Sequence, residues 1–592
     1  MHIVLGPSPE PRGSDGDTAQ PLWRAVSLDA GREVSDRDFP RDQLAAVVRA
    51  VQEGSERPDR IRWVWADTRE VYPELLAAGL ELARGWDLRL CQRILRTAAS
   101  APARGVEYAP AADLSEDREE PAGRVPPPRV DPRQTSLFEA PAAQPQPRGP
   151  ACDQLVRELE AQLRAVSSSP EPHRLNLLLV AESQGGMIAE EMHHEGLPWN
   201  RGIHERLLEE QLGPRPEEGS RPARMQGLAE HVGRTLGSER LNPDSPQDLL
   251  RALKAAGVRV ESTRKWDLMA WAAQGGAHVE ERRELIRPVL EYKQLYRLWT
   301  ANGWHWLDEW VREDRFHAAY VVGGVVTGRW AAHGGGAMQI PRTVRDAVRA
   351  EPGHVLTVAD ASQVEPRILA AMSGDRALAV AGRDHDLYLG IAEIGRRTGS
   401  ALKDRQAAKI ALLGAMYGAT SGDSAAMMPH LRRLFPAAIE LVERAAEAGA
   451  RGGQVATWLG RTSPAPDEAW FAAVRDVGTA QAESRSRTLS RSHGRFTRNF
   501  VVQGTAAEWA LCWMGESRRR LRAGGPGGAG LRTRMVFFVH DEVVLHGPEE
   551  EAEEVHGIVG EAAAAAGRLL FGEAPVAFPL TVAAVGSYAE AK

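Results

Sequence analysis

The chain is 592 residues long, more than one compact core normally serves, and the usual domain size implies about three or four units. Hydrophobic residues make up 43% and charged residues 26%, and the net charge of −7 excludes a uniformly basic nucleic-acid binder while leaving room for local Arg and Lys clusters. Cys91, Cys152 and Cys512, with no CxxC spacing, exclude a disulfide framework and a zinc cluster and fit a reducing cytoplasm. The N-terminus lacks a basic start followed by an apolar core, and no run reaches the length of a membrane span, so a soluble protein with no membrane partner is expected.

In chain order, residues 1–100 read as a small α/β unit: a strand over Ile61 to Asp67, a helix through Glu74, Leu75, Leu76 and Leu80, and a second helix starting at Asp87. From 101 to 150 Pro, Ala, Gly and charge replace apolar periodicity, the composition of a disordered or extended linker. Its only compact apolar anchor is Gln134-Thr135-Ser136-Leu137-Phe138, which resembles the short peptide by which bacterial replication proteins dock on the sliding clamp. There Leu137 and Phe138 would fill an apolar pocket as the linker orders on binding. From Ala151 the chain becomes helical; a Pro-Asp-Ser-Pro turn leads into an amphipathic helix ending near Gly257, and Glu284 to Val311 has the spacing of long helices whose Trp residues belong to the core.

Chemistry concentrates in the second half. His317 to Val348 alternates β-like runs with glycines and carries Arg329, Arg342 and Arg345, with Arg349 just beyond; glycine permits close backbone approach and Arg neutralises phosphate or reads a groove edge. His354 to Asp375 is an apolar strand ending at Asp360, then a turn and a helix, with Glu365 and Arg367 expected to point into the same pocket as Asp360. Arg405, Lys409, Leu413 and Tyr417 recur every fourth residue, which stacks them on one helical face suited to a triphosphate followed by sugar and base. Arg491, Arg495, Asn499 and Gln503 repeat the spacing, arginines for phosphates and amides for base edges or sugars. Met535 to Gly547 reads as a hairpin whose tip carries His540, Asp541 and Glu542, and charge held at such an edge is costly unless a cation or donor meets it.

Together and in this order, LNPDSPQDLL, LEYKQL, VTGRW with MQIPR, DASQVEPR, RQAAKIALLGAMYG, RNFVVQGTAAE and VHDEVV resemble the family A DNA polymerases, the polymerase I group, over roughly Arg174 to Lys592. The resemblance implies an α+β multidomain fold: a right-hand polymerase over 151–592 with a helical thumb over about 174–316, palm and fingers over about 317–592, and an antiparallel palm sheet. It implies that Asp360 and Asp541 hold two Mg2+ ions, one acting on the primer 3′-hydroxyl and one on the leaving pyrophosphate, with Glu542 as an accessory carboxylate. Arg405 and Lys409 would meet the incoming dNTP triphosphate, Tyr417 would stack near the nascent pair, and Glu365 would fill the space of a ribose 2′-hydroxyl. Gln363 and Leu413 complete the nucleotide site. Arg329, Arg495, Asn499 and Gln503 would contact primer-template DNA, with His540 against the primer terminus. The expected activity is template-directed DNA synthesis in repair or gap filling, by a monomer in the nucleoid-associated cytoplasm.

Three departures stand inside the motifs. Ala361 replaces the usual Tyr, Pro366 the usual Leu, and Leu412-Leu413 the usual Asn-Phe, so an aromatic surface near the nucleotide becomes aliphatic; stacking on aromatics is worth about 1 to 3 kcal/mol per base. The first hundred residues, chiefly WADTREVYPELLAAGLEL and WDLRLCQRIL, resemble a ribonuclease H-like 3′→5′ proofreading domain. No Asp-x-Glu stands on an early strand, and Val71 falls where a motif aspartate would align, so this domain reads as a degenerate exonuclease kept as scaffold. The 5′ nuclease domain often found in the family has no room in the chain. The alternatives are a DNA-binding scaffold with a weakened polymerase centre, a polymerase keeping residual 3′→5′ exonuclease activity, and a single-subunit RNA polymerase relative.

Overall fold

The computed structural model describes residues 1–9, 22–29, 31–114, 149–217, 219–274, 276–333, 340–383, 386–418, 422–525 and 528–591. The expected clamp-docking residues Gln134, Leu137 and Phe138 lie outside them. Contacts divide the chain into two units, one of Met1–Glu195, Ala319–His333 and Thr357–Ala584, the other of Gly196–Ala318, Gly334–Leu356 and Val585–Lys592. Among the described residues no helix is long and apolar enough to cross a membrane.

In the first unit, strands His2–Pro7, Leu22–Asp29, Arg32–Pro40, Arg62–Trp65 and Arg84–Asp87 form one sheet in the spatial order third, second, first, fourth, fifth. The first strand is antiparallel to the second and parallel to the fourth, and the fifth runs parallel to the fourth. Ile3, Leu5, Trp63 and Trp65 enter a core shared with Leu44, Tyr72, Leu75 and Met187. Sequence reasoning finds the fourth strand and the helices Thr68–Ala77 and Leu88–Ala99 but misses the fifth strand and the first three. The third of these, REVSDRDFP, is exposed along most of its length, so it carries no hydrophobic alternation to detect.

Residues 101–114, assigned to the linker by composition, are packed. Val106, Ala112 and Leu114 are buried, and the N–H groups of Ala111 and Ala112 donate to Glu158 at 2.7 and 3.1 Å. A buried carboxylate from a distant helix satisfies this backbone, and local composition gives no sign of it. The helix Pro172–Glu195, expected from residue 174 onward in the thumb, belongs instead to the first unit. The physical reason is its polar face: Ser183 Oγ accepts from the Asp87 N–H at 3.0 Å, and Glu182 pairs with Arg461 at 2.7 Å.

The second unit is mainly helical, with Arg201–Leu212, Ala223–Thr235, Pro246–Ala255, Lys265–Ala273, Val279–Asn302 and Trp304–Trp310. Ser245 caps the helix that the Pro-Asp-Ser-Pro turn announces, accepting from the Asp248 N–H at 3.2 Å. Trp199, Trp306 and Phe316 cluster around His204, whose pKa burial lowers to about 4. Of the four Trp residues expected in the core, Trp304 and Trp306 are buried and Trp299 and Trp310 half-buried.

The sheet that carries the catalytic candidates has the strand order Arg534–Val539, Glu542–Pro548, His354–Ala361, Leu580–Val585. The expected hairpin is present: its first two strands pair antiparallel from Arg534 opposite His546 to Val539 opposite Glu542. Two helices complete the site, Arg405–Tyr417 and the 44-residue Ala480–Ala523, about 66 Å long at the standard rise.

Candidate active site

Asp360 is the penultimate residue of its strand, and Asp541 lies in the two-residue turn of the hairpin. The Ala361 N–H donates to the Asp541 carbonyl at 3.0 Å, so the two backbones meet at one end of adjacent strands. Both aspartates are half-buried. His540 makes the sharp turn, with φ of 56°, and is exposed. Glu542 differs from its expected place at a charged tip. It opens the second strand and is buried, like every residue of that strand.

Glu365 sits one residue into the first turn of the Val364–Ser373 helix, buried to 8% exposure. Arg329 forms an ion pair with one carboxylate oxygen, and the Tyr417 hydroxyl donates to the other at 2.5 Å. Three residues from three separate motifs therefore converge. Burial, and then the hydrogen bond to Glu365, raises the Tyr417 pKa well above its ordinary value, so the phenol stays a donor at neutral pH. Arg329, expected on DNA, is held by Glu365.

Gln363, in the left-handed region at φ 58°, reaches the start of the helix Leu387–Arg397, where its Oε1 accepts from the Leu387 N–H at 2.8 Å. Arg367, expected to point into the pocket beside Asp360, is fully buried and structural. It donates to the carbonyls of Ser362, Gly382 and Ala577 at 3.1, 2.7 and 3.0 Å, and burial lowers its pKa to about 10. A guanidinium that bonds three carbonyls ties the helix start to two distant segments.

On the Arg405–Tyr417 helix the expected stripe is real: Arg405, Lys409 and Tyr417 are exposed and Leu413 half-buried, while Ala408, Ala411, Leu412 and Met416 are buried. Asp404 caps the start, accepting from the Ala407 N–H at 2.8 Å. Gly418 ends the helix in the left-handed conformation, φ 72°, rather than lying within it. Leu412, one of the two aliphatic replacements, is core, so only Leu413 changes the open face. Arg405 donates to Asp386 at 2.8 Å and lies 5.8 Å above the ring of Tyr388. Tyr388 is a residue that sequence reasoning missed. It is buried within electrostatic reach of Glu365 and Arg405, and its pKa is pushed up to about 12, first by burial and then by Glu365. A single tyrosine in a helix gives no periodic signal.

The second stripe also lies on an accessible face, with Arg491 and Arg495 exposed and Asn499 and Gln503 half-buried, while Gly494, Thr497 and Phe500 face the core. Arg495 packs over the end of the Arg405–Tyr417 helix: a Cβ on Gly418 would stand 2.7 Å from Arg495 Cγ. This places a cation beside the negative pole of that helix. Gly504 lets the long helix approach the arginine-bearing loop, since a Cβ there would meet Thr457 Cγ2 at 2.4 Å and the Thr327 carbonyl at 3.0 Å. The site thus joins an acidic strand edge, a cationic helix face and a second basic stripe, a combination suited to a divalent cation and an anionic ligand.

The chain is similar to several known proteins. DNA polymerase I of Chloroflexus aurantiacus is 30% identical over 289 residues, 45% of this chain and 28% of that protein. The thermostable DNA polymerase I of Thermus filiformis is 30% identical over 331 residues, 51% of this chain and 36% of that protein. The chain therefore spans about a third of the length of these relatives. Among solved structures, the POL domain of Pol1 from M. smegmatis, in complex with DNA primer-template and dNTP, matches with a TM-score of 0.68 and 19% identity over 100% of this chain and 95% of that one. That likeness shows the fold. Residues 218–585, more than half of the chain, match DNA polymerase family A as a family, and the chain belongs to it.

Proposed function

We propose that the protein is a template-directed DNA polymerase that adds dNMPs to a primer 3′-hydroxyl, working as a monomer in repair or gap-filling synthesis. The observation that carries this reading is the Ala361–Asp541 backbone hydrogen bond, which joins Asp360 and Asp541 at one strand edge. Two half-buried carboxylates are hard oxygen donors, a set that fits Mg2+. When bound there, two Mg2+ ions supply Lewis acidity to the attacking hydroxyl and charge neutralisation to the departing pyrophosphate.

The chain's own residues do the rest. Lys409 and Arg405 place fixed cations for the triphosphate, where charge develops on transfer. Glu365, held from two sides by Arg329 and Tyr417, occupies the space a 2′-hydroxyl would need. Leu413 forms an apolar wall beside the nucleotide. Arg495, Asn499, Gln503 and His540 line the DNA path, and Arg329 joins them when its ion pair opens. Glu542, being buried, supports the turn that carries Asp541.

The N-terminal sheet order, with the third strand outermost and the fourth and fifth parallel to the first, supports a ribonuclease H-like domain, and the lack of an Asp-x-Glu on an early strand supports a domain without nuclease activity. Gln134, Leu137 and Phe138 are proposed to dock on the sliding clamp; unchanged clamp affinity after both Leu137 and Phe138 become Ala would remove that part.

The test is a primer-extension assay with dNTPs and rNTPs on the wild type and on Asp541→Ala. Extension by the wild type alone, with dNTPs preferred, is expected. Equal extension by both proteins rejects the assignment of Asp541. Magnesium-independent primer-template binding with no extension by either protein would favour the scaffold alternative, and equal use of rNTPs would favour the RNA polymerase alternative.

A further inference from the structure

The carboxyl edge of the N-terminal sheet is where an α/β unit of this kind binds ligands, because parallel strands there open onto helix starts. The first strand, HIVLGP, brings no carboxylate to that edge. The fourth strand leads to Asp67, two residues past its end at Trp65, and the fifth ends at Asp87, which the register pairs with Trp65. A two-metal nuclease would need these carboxylates open to cations.

They are not open. Asp67 accepts from the Arg69 backbone N–H at 3.0 Å and from the Arg69 guanidinium at 2.9 and 3.2 Å, and it pairs with Arg89 Nε at 3.1 Å. Asp87 is buried; one of its oxygens accepts from the Thr68 N–H and Oγ1, both at 2.7 Å, and the other from the Leu90 N–H at 2.8 Å. Each aspartate also caps a helix, Asp67 that of Thr68–Ala77 and Asp87 that of Leu88–Ala99. The donor set therefore does not fit a metal pair. Burial works against ionisation of Asp67, yet Arg89 and Arg69 hold its carboxyl below the ordinary range.

We infer that Arg69 and Arg89 are the resident cations of this centre, standing in for the divalent ions that a proofreading nuclease would hold there, so that the N-terminal domain is a metal-independent scaffold pinned at two helix starts. The inference rests on the ribonuclease H-like reading of the domain and adds to it what replaced the metals. Two guanidiniums, Arg69 in bidentate contact and Arg89 paired at 3.1 Å, neutralise Asp67 permanently, whereas a divalent ion would bind and leave with its concentration.

The test uses the full chain carrying Asp360→Ala and Asp541→Ala, so that the polymerase centre contributes no carboxylate pair. Mn2+ binding is followed by the electron paramagnetic resonance signal of the free ion, and thermal unfolding is recorded with Mn2+ and with EDTA. This chain is expected to show no submillimolar Mn2+ site that Asp67→Ala abolishes, and the same Tm in both conditions. Adding Arg69→Ala with Arg89→Ala is expected to create one Mn2+ site, lost again on Asp67→Ala. The inference is overturned by an Asp67-dependent Mn2+ site, or an Asp67-dependent rise of Tm with Mn2+, while both arginines are intact; the comparison does not require the double variant to fold. It is also overturned if the double variant, folded by circular dichroism, gains no site. Nuclease activity in the wild type that Asp67→Ala destroys would instead overturn the reading on which the inference rests, and neither result touches primer extension.

Discussion

The Ala361 N–H donates to the Asp541 carbonyl at 3.0 Å, and this bond holds two catalytic candidates from distant tracts at one edge. Ala361→Pro removes the donor, because proline has no backbone N–H. An unsatisfied buried carbonyl costs about 1 to 3 kcal/mol, and a displacement of the reacting groups by about 1 Å costs on the order of 100-fold in rate. Single-nucleotide incorporation should therefore fall far more than Tm does, while Ala361→Gly, which keeps the N–H, should stay close to wild type. A proline variant that incorporates at the wild-type rate would show that the bond does not position Asp541.

Glu365 is gripped by Arg329 on one oxygen and Tyr417 on the other. Tyr417→Phe removes one grip, a hydrogen bond to a charged group worth about 1.5 to 3 kcal/mol, and should relax discrimination against rNTPs by roughly tenfold, since 1.4 kcal/mol is a factor of ten. Glu365→Ala removes the carboxylate and should relax it further. The measurement is the ratio of kcat/KM for dCTP and CTP on one primer-template. An unchanged ratio in Glu365→Ala would remove Glu365 from sugar selection.

The two helical stripes and the hairpin were legible because each is a local period: four residues for Arg405, Lys409, Leu413 and Tyr417, and two apolar runs about a turn for Met535 to Gly547. What the sequence hid are partnerships between tracts. Nothing in DASQVEPR tells that Arg367 bonds the Ala577 carbonyl rather than lining a pocket, or that Gln363 reaches the helix start at Leu387. The same holds for the linker, where residues 106–114 are anchored by the N–H groups of Ala111 and Ala112, which Glu158 receives. The first strand was missed for another reason: HIVLGP is too short an apolar run to tell a strand from part of a helix.

Glu508, on the long helix, accepts from the Leu459 N–H at 3.0 Å and from the Thr457 hydroxyl, near Arg461 and Glu182. Burial raises its pKa from 4.5 to about 7. A group whose pKa is raised on folding contributes stability that is complete below the unfolded value and is lost as pH rises through the folded one. Wild-type Tm should therefore fall relative to that of Glu508→Gln as pH rises from 4.5 to about 7, with a difference on the order of 3 kcal/mol across that window. Parallel curves for the two proteins would mean that Glu508 titrates normally.

Arg518, buried on the same helix, donates to Glu191 through Nε at 2.7 Å and through Nη2, and to the carbonyls of Leu82 and Ala83; Tyr72 donates to the same carboxylate at 2.5 Å and Arg522 at 3.1 Å. This cluster ties the long helix to the N-terminal sheet domain through the Pro172–Glu195 helix. Glu191→Ala leaves a guanidinium buried without its counter-charge, a loss of about 3 to 5 kcal/mol. Replacing both ends, Arg518→Met with Glu191→Leu, substitutes apolar packing for the pair and should cost less than Glu191→Ala alone. Denaturant unfolding of Arg518→Met, Glu191→Leu and the variant carrying both gives the coupling directly. Additive losses would mean that the two side chains act independently, and that the carbonyl bonds of Arg518, not its charge, hold the helix in place.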